Sequence, residues 1–188
     1  MFRRMADIQI LLTGDVTQET ITPLLQQVTE RVGRGGRSLL LALSTPGGGV
    51  YWGVTAYNVL RGLGIEIITH NVGQVDSIGG PIYAAGDRRR SVTHGRVLIH
   101  GVTWTFGGTN PAIDEKGLKS TVAQLDQERD RIASILADRS GKTLDEVRAD
   151  MLAGTILTAP EAVAYGLTHE ISDDIFDPAQ EIINIGPA

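Results

Sequence analysis

The first half of the chain alternates between short apolar runs and segments in which apolar residues recur at helical spacing. The apolar runs predict strands over residues 8–12, 38–43, 65–72 and 96–100. The segments between them predict helices over residues 17–32, 50–60 and 81–86. Alternating strands and helices are typical of crossover units, so we expect an α/β fold with a mainly parallel sheet.

The second half is mostly helical and contains one long amphipathic segment. Apolar residues at helical spacing predict a helix over roughly residues 114–140, interrupted by the polar Arg129. A helix of this length in so short a chain either projects toward a partner or lies across its own sheet. Two capping boxes, which open at Thr143 and at Thr158, each predict a short helix.

The remaining segments carry weaker signals. Residues 87–90 are charged and predict a loop, and residues 167–171 predict a closing strand. Residues 101–111 are rich in Gly, Thr and Trp without a period, which fits a loop or an exposed ribbon. The tail, residues 173–188, fits an edge strand or a loose end. The length favours one domain over residues 1–188.

Composition indicates a globular protein and excludes several kinds of chemistry. The 188 residues are 41% hydrophobic and 21% charged and include 23 glycines, so tight turns should be frequent. The net charge of −5 is scattered along the chain and gives no basic footprint for nucleic acid. The absence of cysteine excludes disulfides, thiolate metal sites and a cysteine nucleophile. Apolar runs are too short for a membrane span or a signal peptide, so we expect a cytoplasmic protein.

A serine stands where the third predicted strand passes into the third predicted helix. Gly73, Gly79 and Gly80 around Ser77 permit tight backbone paths. The N-terminus of the helix offers unpaired N–H groups, which suit a developing oxyanion. Two interpretations are open: Ser77 is a nucleophile, or it only caps the helix, as Ser commonly does. The nucleophile-elbow pattern Gly-x-Ser-x-Gly is half met, because Val75 stands at the first glycine position.

A serine nucleophile needs a neighbouring base, and His100 is the best placed of the four histidines. It ends an apolar strand, and sites in open α/β sheets collect beyond the carboxyl ends of strands, where Ser77 also stands. Asp150 is a candidate for the carboxylate that orients the imidazole, although a solvated acid at a helix end has the same local pattern. The glycine-rich turn over residues 44–49 is an ordinary turn or a source of N–H groups for an oxyanion. The other histidines, which fit structural or surface roles, are His70, His94 and His169.

Two other motifs fail. Gly141-Lys142-Thr143 has the end of a phosphate-binding loop, but Leu136 occupies the required upstream glycine position and a helix precedes it. Nucleotide binding there is rejected. His94 and His100 have no matching ligand set for zinc, and no metal is expected.

Five motifs follow one another along the chain. They are Ser44-Thr45-Pro46-Gly47-Gly48, Gly73-Gln74-x-x-Ser77-x-Gly79, Ala84-Ala85-Gly86, Arg96-Val97-Leu98-Ile99-His100 and Thr158-Ala159-Pro160-Glu161-Ala162-Val163-x-Tyr165-Gly166-Leu167. In order and approximate spacing they resemble the proteolytic subunit of the Clp protease, from about residue 8 to about residue 171. No single motif is specific, but five in register are.

The resemblance implies a crotonase-like α/β fold, in which strand–helix units form a spiral and a long helix projects. Subunits of that family assemble as stacked rings that enclose the active sites, and residues 101–140 correspond to the ribbon and helix between rings. A homo-oligomer is therefore expected, with unfolded or extended polypeptides as substrates. The family's N-terminal axial loops, which meet an ATP-driven unfoldase, are nearly absent, so partnership with such an ATPase is not assumed. No nucleic-acid or membrane partner is expected.

The resemblance also implies a serine endopeptidase that needs no cofactor. Ser77 takes the family's nucleophile position, His100 that of the general base and Asp150 that of the third triad member. The backbone N–H groups that would form the oxyanion hole belong to Ile78, Gly47 and Gly48.

The chain departs from the family pattern beside the nucleophile. Asp76 replaces a small residue, and a carboxylate there opposes the build-up of oxyanion charge unless its side chain points away. We expect it to turn toward a neighbouring loop or a cation. The pair before Asp150 is Arg148-Ala149, and the segment after His100 lacks the family's Gln-Pro. Two alternatives stay open: a non-catalytic ring subunit, and an acyl-CoA hydratase or isomerase of the same fold.

Overall fold

A computed structural model describes residues 6–105 and 113–187 of the protein. In chain order the elements are β1 (Ile8–Thr13), α1 (Gln18–Gly33), β2 (Ser38–Thr45), α2 (Val50–Gly62), β3 (Glu66–Asp76), α3 (Gly79–Ala84), β4 (Arg88–Ser91), β5 (Arg96–Ile99), α4 (Glu115–Ser140), α5 (Leu144–Ala153), β6 (Thr155–Thr158), α6 (Ala159–Tyr165), β7 (Glu170–Ile171) and β8 (Ile183–Ile185). Strands and helices alternate through the first half, as the hydrophobic pattern predicts.

The strands of the described residues form one sheet, with the path β6-β5-β3-β2-β1-β8 and with β4 and β7 off that path. β1, β2, β3 and β5 run parallel, whereas β6 is antiparallel to β5. The predicted mainly parallel sheet is confirmed. β3 pairs with β4 through residues 68–71 and with β5 through residues 74–76, so the sheet forks along β3.

The core lies around β2, which is buried along nearly its whole length. Its Leu39, Leu41 and Leu43 belong to the same apolar cluster as Ile21 and Leu24 of α1. Each such side chain contributes about 2 kcal/mol when it leaves water. The unbroken apolar sequence of β2 thus marks a strand that is covered on both faces, as predicted.

The long helix α4 is partly core and partly exposed. Asp114 caps its N-terminus, and the helix ends at the predicted residue. Ile132 and Leu136 in the C-terminal half are buried, whereas Leu118 and Val122 in the N-terminal half are about half exposed. The second half therefore packs on its own domain and the first half projects from it.

The charged residues 87–90 do not form the predicted loop. Residues Arg88–Ser91 form strand β4, and Arg89 is only 3% exposed. The Arg89 guanidinium donates hydrogen bonds to four backbone carbonyl groups, at 2.6–3.1 Å, and burial lowers its pKa to about 10. The burial is possible because the backbone carbonyls accept hydrogen bonds from the charged guanidinium. The sequence pattern alone gives no sign of these carbonyls.

The tail contributes an edge strand. β8 pairs in parallel with β1, and Gln9 of β1 exchanges hydrogen bonds with the backbone of Asp177. Residues 101–105 have no regular structure, and the rest of the predicted ribbon, residues 106–111, lies outside the described residues. Within the described ranges, no helix has the length and apolar character needed to cross a membrane.

Candidate active site

Ser77 has a left-handed backbone conformation. Its φ is 57°, and among the described residues no other residue except glycine has a positive φ. The Ser77 N–H donates a hydrogen bond of 2.9 Å to the carbonyl of Leu98 on β5. This conformation costs about 1–2 kcal/mol for a residue with a β-carbon, and such strain concentrates at functional sites.

The helix-cap interpretation of Ser77 is wrong. Helix α3 begins at Gly79 with Ile78 as its N-cap, and no side-chain cap hydrogen bond is formed there. Ser77 therefore stands before the helix, between the end of β3 and the first turn of α3. Its hydroxyl makes no hydrogen bond to other described residues, so it is available to a ligand.

Gly47 lies directly against Ser77. A β-carbon built on Gly47 would come 2.6 Å from Ser77 Cβ and 3.3 Å from Ser77 Oγ. Gly47 also has a φ of 99°, which favours glycine. The turn after β2 thus brings its backbone to the serine because it carries no side chain there.

The next glycine is fixed against Val16. Val16 N–H donates to Gly47 O at 2.7 Å, and Gly49 N–H donates to Val16 O at 2.8 Å. In this parallel bridge the N–H of the central residue, Gly48, points away from Val16. The N–H of Gly47 donates instead to Thr45 Oγ1 at 3.0 Å. Three N–H groups are expected to bind an oxyanion. That of Gly47 is therefore already hydrogen-bonded, whereas that of Gly48 points away from Val16. The N–H of Ile78, the N-cap of α3, comes before the first hydrogen bond of the helix and needs no partner within it.

His100 directly follows β5 and is half-buried. β3 and β5 pair in register through Asp76 and Leu98, and Ser77 is bonded to the same Leu98. Ser77 and His100 therefore stand beyond the carboxyl ends of neighbouring parallel strands, as expected. No hydrogen bond joins their side chains in the described part of the chain.

Asp150 is held by other partners. Its Oδ2 accepts a hydrogen bond of 2.7 Å from Tyr165 Oη, and its Oδ1 accepts one of 3.3 Å from Thr155 Oγ1. Burial, and then the hydrogen bond to Asp150, raise the pKa of Tyr165. Thr155 lies opposite Ile99 on β5, so Asp150 is near the end of that strand. Within residues 6–105 and 113–187, however, no ion pair or hydrogen bond joins Asp150 to His100.

Asp76 turns toward a cation, as the sequence led us to expect. Its Oδ2 forms an ion pair of 2.7 Å with Arg96 of β5, and its side chain is 6% exposed. Burial raises the pKa of Asp76, whereas the charges of Arg96 and His100 oppose that rise. The carboxylate therefore interacts with β5 rather than standing isolated beside the serine.

A cleft of about 590 Å³ lies between the segment after His100, α4 and α5. Its walls come from the segment after His100, from α4 and from the residues that flank Asp150 on α5. The lining residues include Gly101, Val102, Leu125, Arg129, Ala149 and Leu152. Asp126 and Arg148 also line it, so the cleft combines apolar residues with three charged ones.

Sequence reasoning missed several residues that organise this site. Val16 fixes the glycine turn, Arg96 pairs with Asp76, and Tyr165 with Thr155 holds Asp150. Side chains alternate between the two faces of a strand, so Arg96 and His100, four residues apart, lie on the same face. This spacing could have pointed to Arg96 as part of the site. The other contacts join distant segments and have no local pattern.

The fold and the site together define an α/β protein with a strained serine and a histidine beyond the ends of two parallel strands. The family model described as Clp protease matches residues 1–174. The chain belongs to this family, and its α/β architecture agrees with the crotonase-like spiral expected from the five motifs.

Individual relatives are moderately similar. The chain is 29% identical over 169 residues to an ATP-dependent Clp protease proteolytic subunit of Chlorella vulgaris. The matched segment covers 87% of this chain and 78% of the relative. The chain is 33% identical over 139 residues to proteolytic subunit 1 of Leifsonia xyli subsp. xyli, covering 73% and 68%. It is 23% identical over 172 residues to proteolytic subunit 2 of Chlamydia trachomatis, covering 90% and 82%.

Proposed function

We propose that the protein is a serine endopeptidase that cleaves unfolded or extended polypeptides within an oligomeric ring. The observation that carries the proposal is the strained backbone of Ser77, which faces the Gly47 turn in a member of the Clp protease family. The relatives are named proteolytic subunits, which supports a peptidase.

In the proposed reaction Ser77 Oγ attacks the peptide carbonyl carbon while His100 accepts the hydroxyl proton. The carbonyl oxygen becomes an oxyanion, for which the N–H groups of Ile78 and Gly48 are the available donors. His100 then passes the proton to the leaving amine as the C–N bond breaks. Water attacks the acyl-enzyme by the same route and releases the acid product. Gly47 joins the oxyanion donors only if its N–H leaves Thr45.

Asp150 remains the third triad member that the sequence motifs favour. To bond to His100, its carboxylate has to offer a lone pair that Tyr165 and Thr155 do not use. A carboxylate has about four such acceptor positions, so Tyr165 and Thr155 do not block the role. They fix Asp150 near the end of β5, and the role depends on a closer approach when substrate binds.

The substrate is proposed to bind as an extended strand beside the Gly47 turn, since backbone pairing accepts many sequences. The cleft lined by Val102, Leu125 and Leu152 is then the pocket for a substrate side chain next to the scissile bond. Its apolar walls favour an apolar side chain, since Arg129 is already paired with Asp126 and Asp130.

Assembly is proposed to use the projecting half of α4. Leu118 and Val122 there, with Ile113 before it and Trp104 in the preceding segment, are 41–51% exposed. Exposed apolar residues grouped in this way favour contact with another subunit. The relatives' names include the word ATP-dependent, so an ATPase partner is also a proposal. The expectation from the sequence, which does not assume such a partner, stays a prediction.

A non-catalytic ring subunit is the second candidate. Two observations favour it: Asp76 stands beside the nucleophile, and the described residues contain no hydrogen bond between Ser77, His100 and Asp150. In that case Ser77 would keep its strained conformation without reacting.

Labelling with a fluorophosphonate separates the two candidates. Intact-mass spectrometry of the assembled wild-type protein is expected to give one adduct per chain, and Ser77→Ala is expected to give none. Ser91→Ala, which removes a buried serine of β4, is the matched control and should keep the adduct. Folded, assembled wild type without an adduct would reject the peptidase and favour the non-catalytic subunit.

A further inference from the structure

Helix α2 begins where the glycine turn after β2 ends. Gly49 is the N-cap of α2, and the Gly53 N–H donates a hydrogen bond of 3.2 Å to Gly49 O, which closes the first turn of the helix. Gly48 directly precedes this cap and is held against Val16 by the parallel bridge between them. The position of Gly48 is therefore tied to the first turn of α2.

Gly53, in that first turn, lies directly against Ile78. A β-carbon built on Gly53 would come 2.3 Å from Ile78 Cγ1, 3.2 Å from Ile78 Cδ1 and 3.1 Å from the Ile78 carbonyl oxygen. Both residues are buried, and Ile78 is only 1% exposed. Helix α2 thus packs against the side chain and the backbone of the residue that caps α3.

A glycine at position 53 calls for an explanation. Glycine inside a helix is less favourable than alanine, and Gly53 does not have the positive φ that would require glycine. Gly62, at the end of the same helix, has nothing within 4 Å of an added β-carbon. The close approach of Ile78 is therefore the reason for glycine at position 53, whereas position 62 has room for a side chain.

The contacts of Gly53 join the two turns that carry the available oxyanion donors. One hydrogen bond leads from Gly53 to Gly49, next to Gly48, and one packing contact leads from Gly53 to Ile78. Two donors stabilise an oxyanion together only when both lie at hydrogen-bond distance from the same oxygen. Their spacing therefore depends on how closely α2 approaches Ile78.

We propose that Gly53 is a positioning residue, which sets the spacing between the N–H groups of Gly48 and Ile78 by letting α2 approach the start of α3. The inference rests on the proposed peptidase function and deepens it. Gly53 acts through Gly49 and Ile78 and supplies no group to the reaction. A methyl group added at position 53 pushes Ile78 away from α2, so the oxyanion loses a donor while the three triad side chains are unchanged.

The kinetics of fluorophosphonate labelling measure the effect of such a methyl group. Wild type, Gly53→Ala and Gly62→Ala are compared in the same assembly state, and the rate constant at saturating reagent is separated from the apparent affinity. Gly53→Ala is expected to lower the saturating rate constant by about tenfold or more, because a misplacement of about 1 Å can cost roughly 100-fold. The apparent affinity should change little. Gly62→Ala, the matched control, should be labelled like wild type.

A second substitution separates positioning from stability. Ile78→Ala removes the Cγ1 atom that the new β-carbon meets. Adding Gly53→Ala to Ile78→Ala should therefore lower the labelling rate constant by less than about threefold, since the two positions interact directly. This comparison also decides the inference if Gly53→Ala alone fails to fold. Urea unfolding of the same proteins follows their stability.

The inference is overturned if folded Gly53→Ala is labelled at the wild-type rate while its urea midpoint falls, because Gly53 then has a packing role only. A loss of labelling as large in the Ile78→Ala background as in wild type overturns it as well. Wild type that is not labelled rejects the peptidase and removes the catalytic meaning of Gly53. The urea midpoints then decide whether the contact exists, since Gly53→Ala should lower the midpoint less in the Ile78→Ala background.

Discussion

The backbone of Gly47 packs so closely against Ser77 that a β-carbon on Gly47 would come within 2.6 Å of Ser77 Cβ. The glycine and the candidate nucleophile belong to turns after two neighbouring strands, β2 and β3. Their contact sets how closely the glycine turn after β2 approaches the serine. Any side chain at position 47 must move one of the two turns.

Gly47→Ala is expected to abolish fluorophosphonate labelling and to lower stability by roughly twice as much as Gly35→Ala. Gly35 has a nearly identical φ, 102° against 99°, but nothing lies within 4 Å of an added β-carbon there. Gly35→Ala therefore measures the backbone strain alone, about 1–2 kcal/mol. Urea unfolding of both variants gives the difference. Equal losses of stability in the two variants would mean that the Ser77 turn moves away from the added β-carbon without an energetic penalty.

Ser77→Gly is expected to be about 1 kcal/mol more stable than Ser77→Ala, because glycine adopts a φ of 57° without strain. Both variants lack the hydroxyl group, so neither is labelled and the comparison isolates the backbone. Chemical denaturation of the two proteins in the same assembly state provides the measurement. A Ser77→Ala protein as stable as Ser77→Gly would show that the left-handed conformation carries no strain.

Asp76→Asn is expected to gain stability relative to wild type as the pH rises from about 3 to about 7. Burial is the largest cause that raises the pKa of Asp76 above its ordinary value of 3.8, so the folded protein holds this proton more tightly than the unfolded chain. The stability that wild type draws from Asp76 is thus fully present below 3.8 and is lost as the pH rises through the raised pKa.

Thermal or urea unfolding across this pH range tests the sign. Asp138→Asn, which removes an exposed carboxylate on α4, is the control and should change little with pH relative to wild type. A relative loss of stability for Asp76→Asn on raising the pH would mean that the Arg96 pair outweighs burial.

In addition, Asp76→Ala should not raise the labelling rate of Ser77, because the carboxylate is turned toward Arg96.

Arg89→Met is expected to destabilise the fold by about 3 kcal/mol or more, since it leaves several buried carbonyl groups without a donor. The four carbonyls belong to Gly86, Arg139, Gly166 and Leu167, which lie at or just beyond the C-terminal ends of α3, α4 and α6. Denaturant unfolding of Arg89→Met is compared with that of Arg88→Met. The Arg88 side chain is 52% exposed, so its loss should cost under about 1 kcal/mol. Similar effects at both positions would contradict a clamping role for Arg89.

The features that the sequence predicted well depend on neighbours in the chain. The capping boxes at Thr143 and Thr158 form as expected, because each needs only a residue three positions away. The apolar run of β2 likewise identifies a covered strand. Strand β4 was missed because three arginines hide its pattern, and their partners come from segments far along the chain.

The candidate site divides in the same way. Ser77 and His100 were placed at one sheet edge from the positions of two strands, which is a local inference joined to a general rule. The Asp76–Arg96 pair depends on the register of β3 against β5, and the partners of Asp150 depend on how α5, β6 and α6 pack. Registers and packing are set by the whole fold and have no period to detect.

The pairing of β8 with β1 has a consequence for synthesis on the ribosome. β1 emerges long before β8, and the edge of β1 that pairs with β8 stays open until residues 183–185 follow. During that interval the unpaired N–H and C=O groups of an apolar strand are exposed to other nascent chains. Closing the sheet between such distant segments also carries a high loop-closure entropy, so this edge is expected to form late. The nascent chain therefore passes through an interval in which this edge of β1 can pair with another chain.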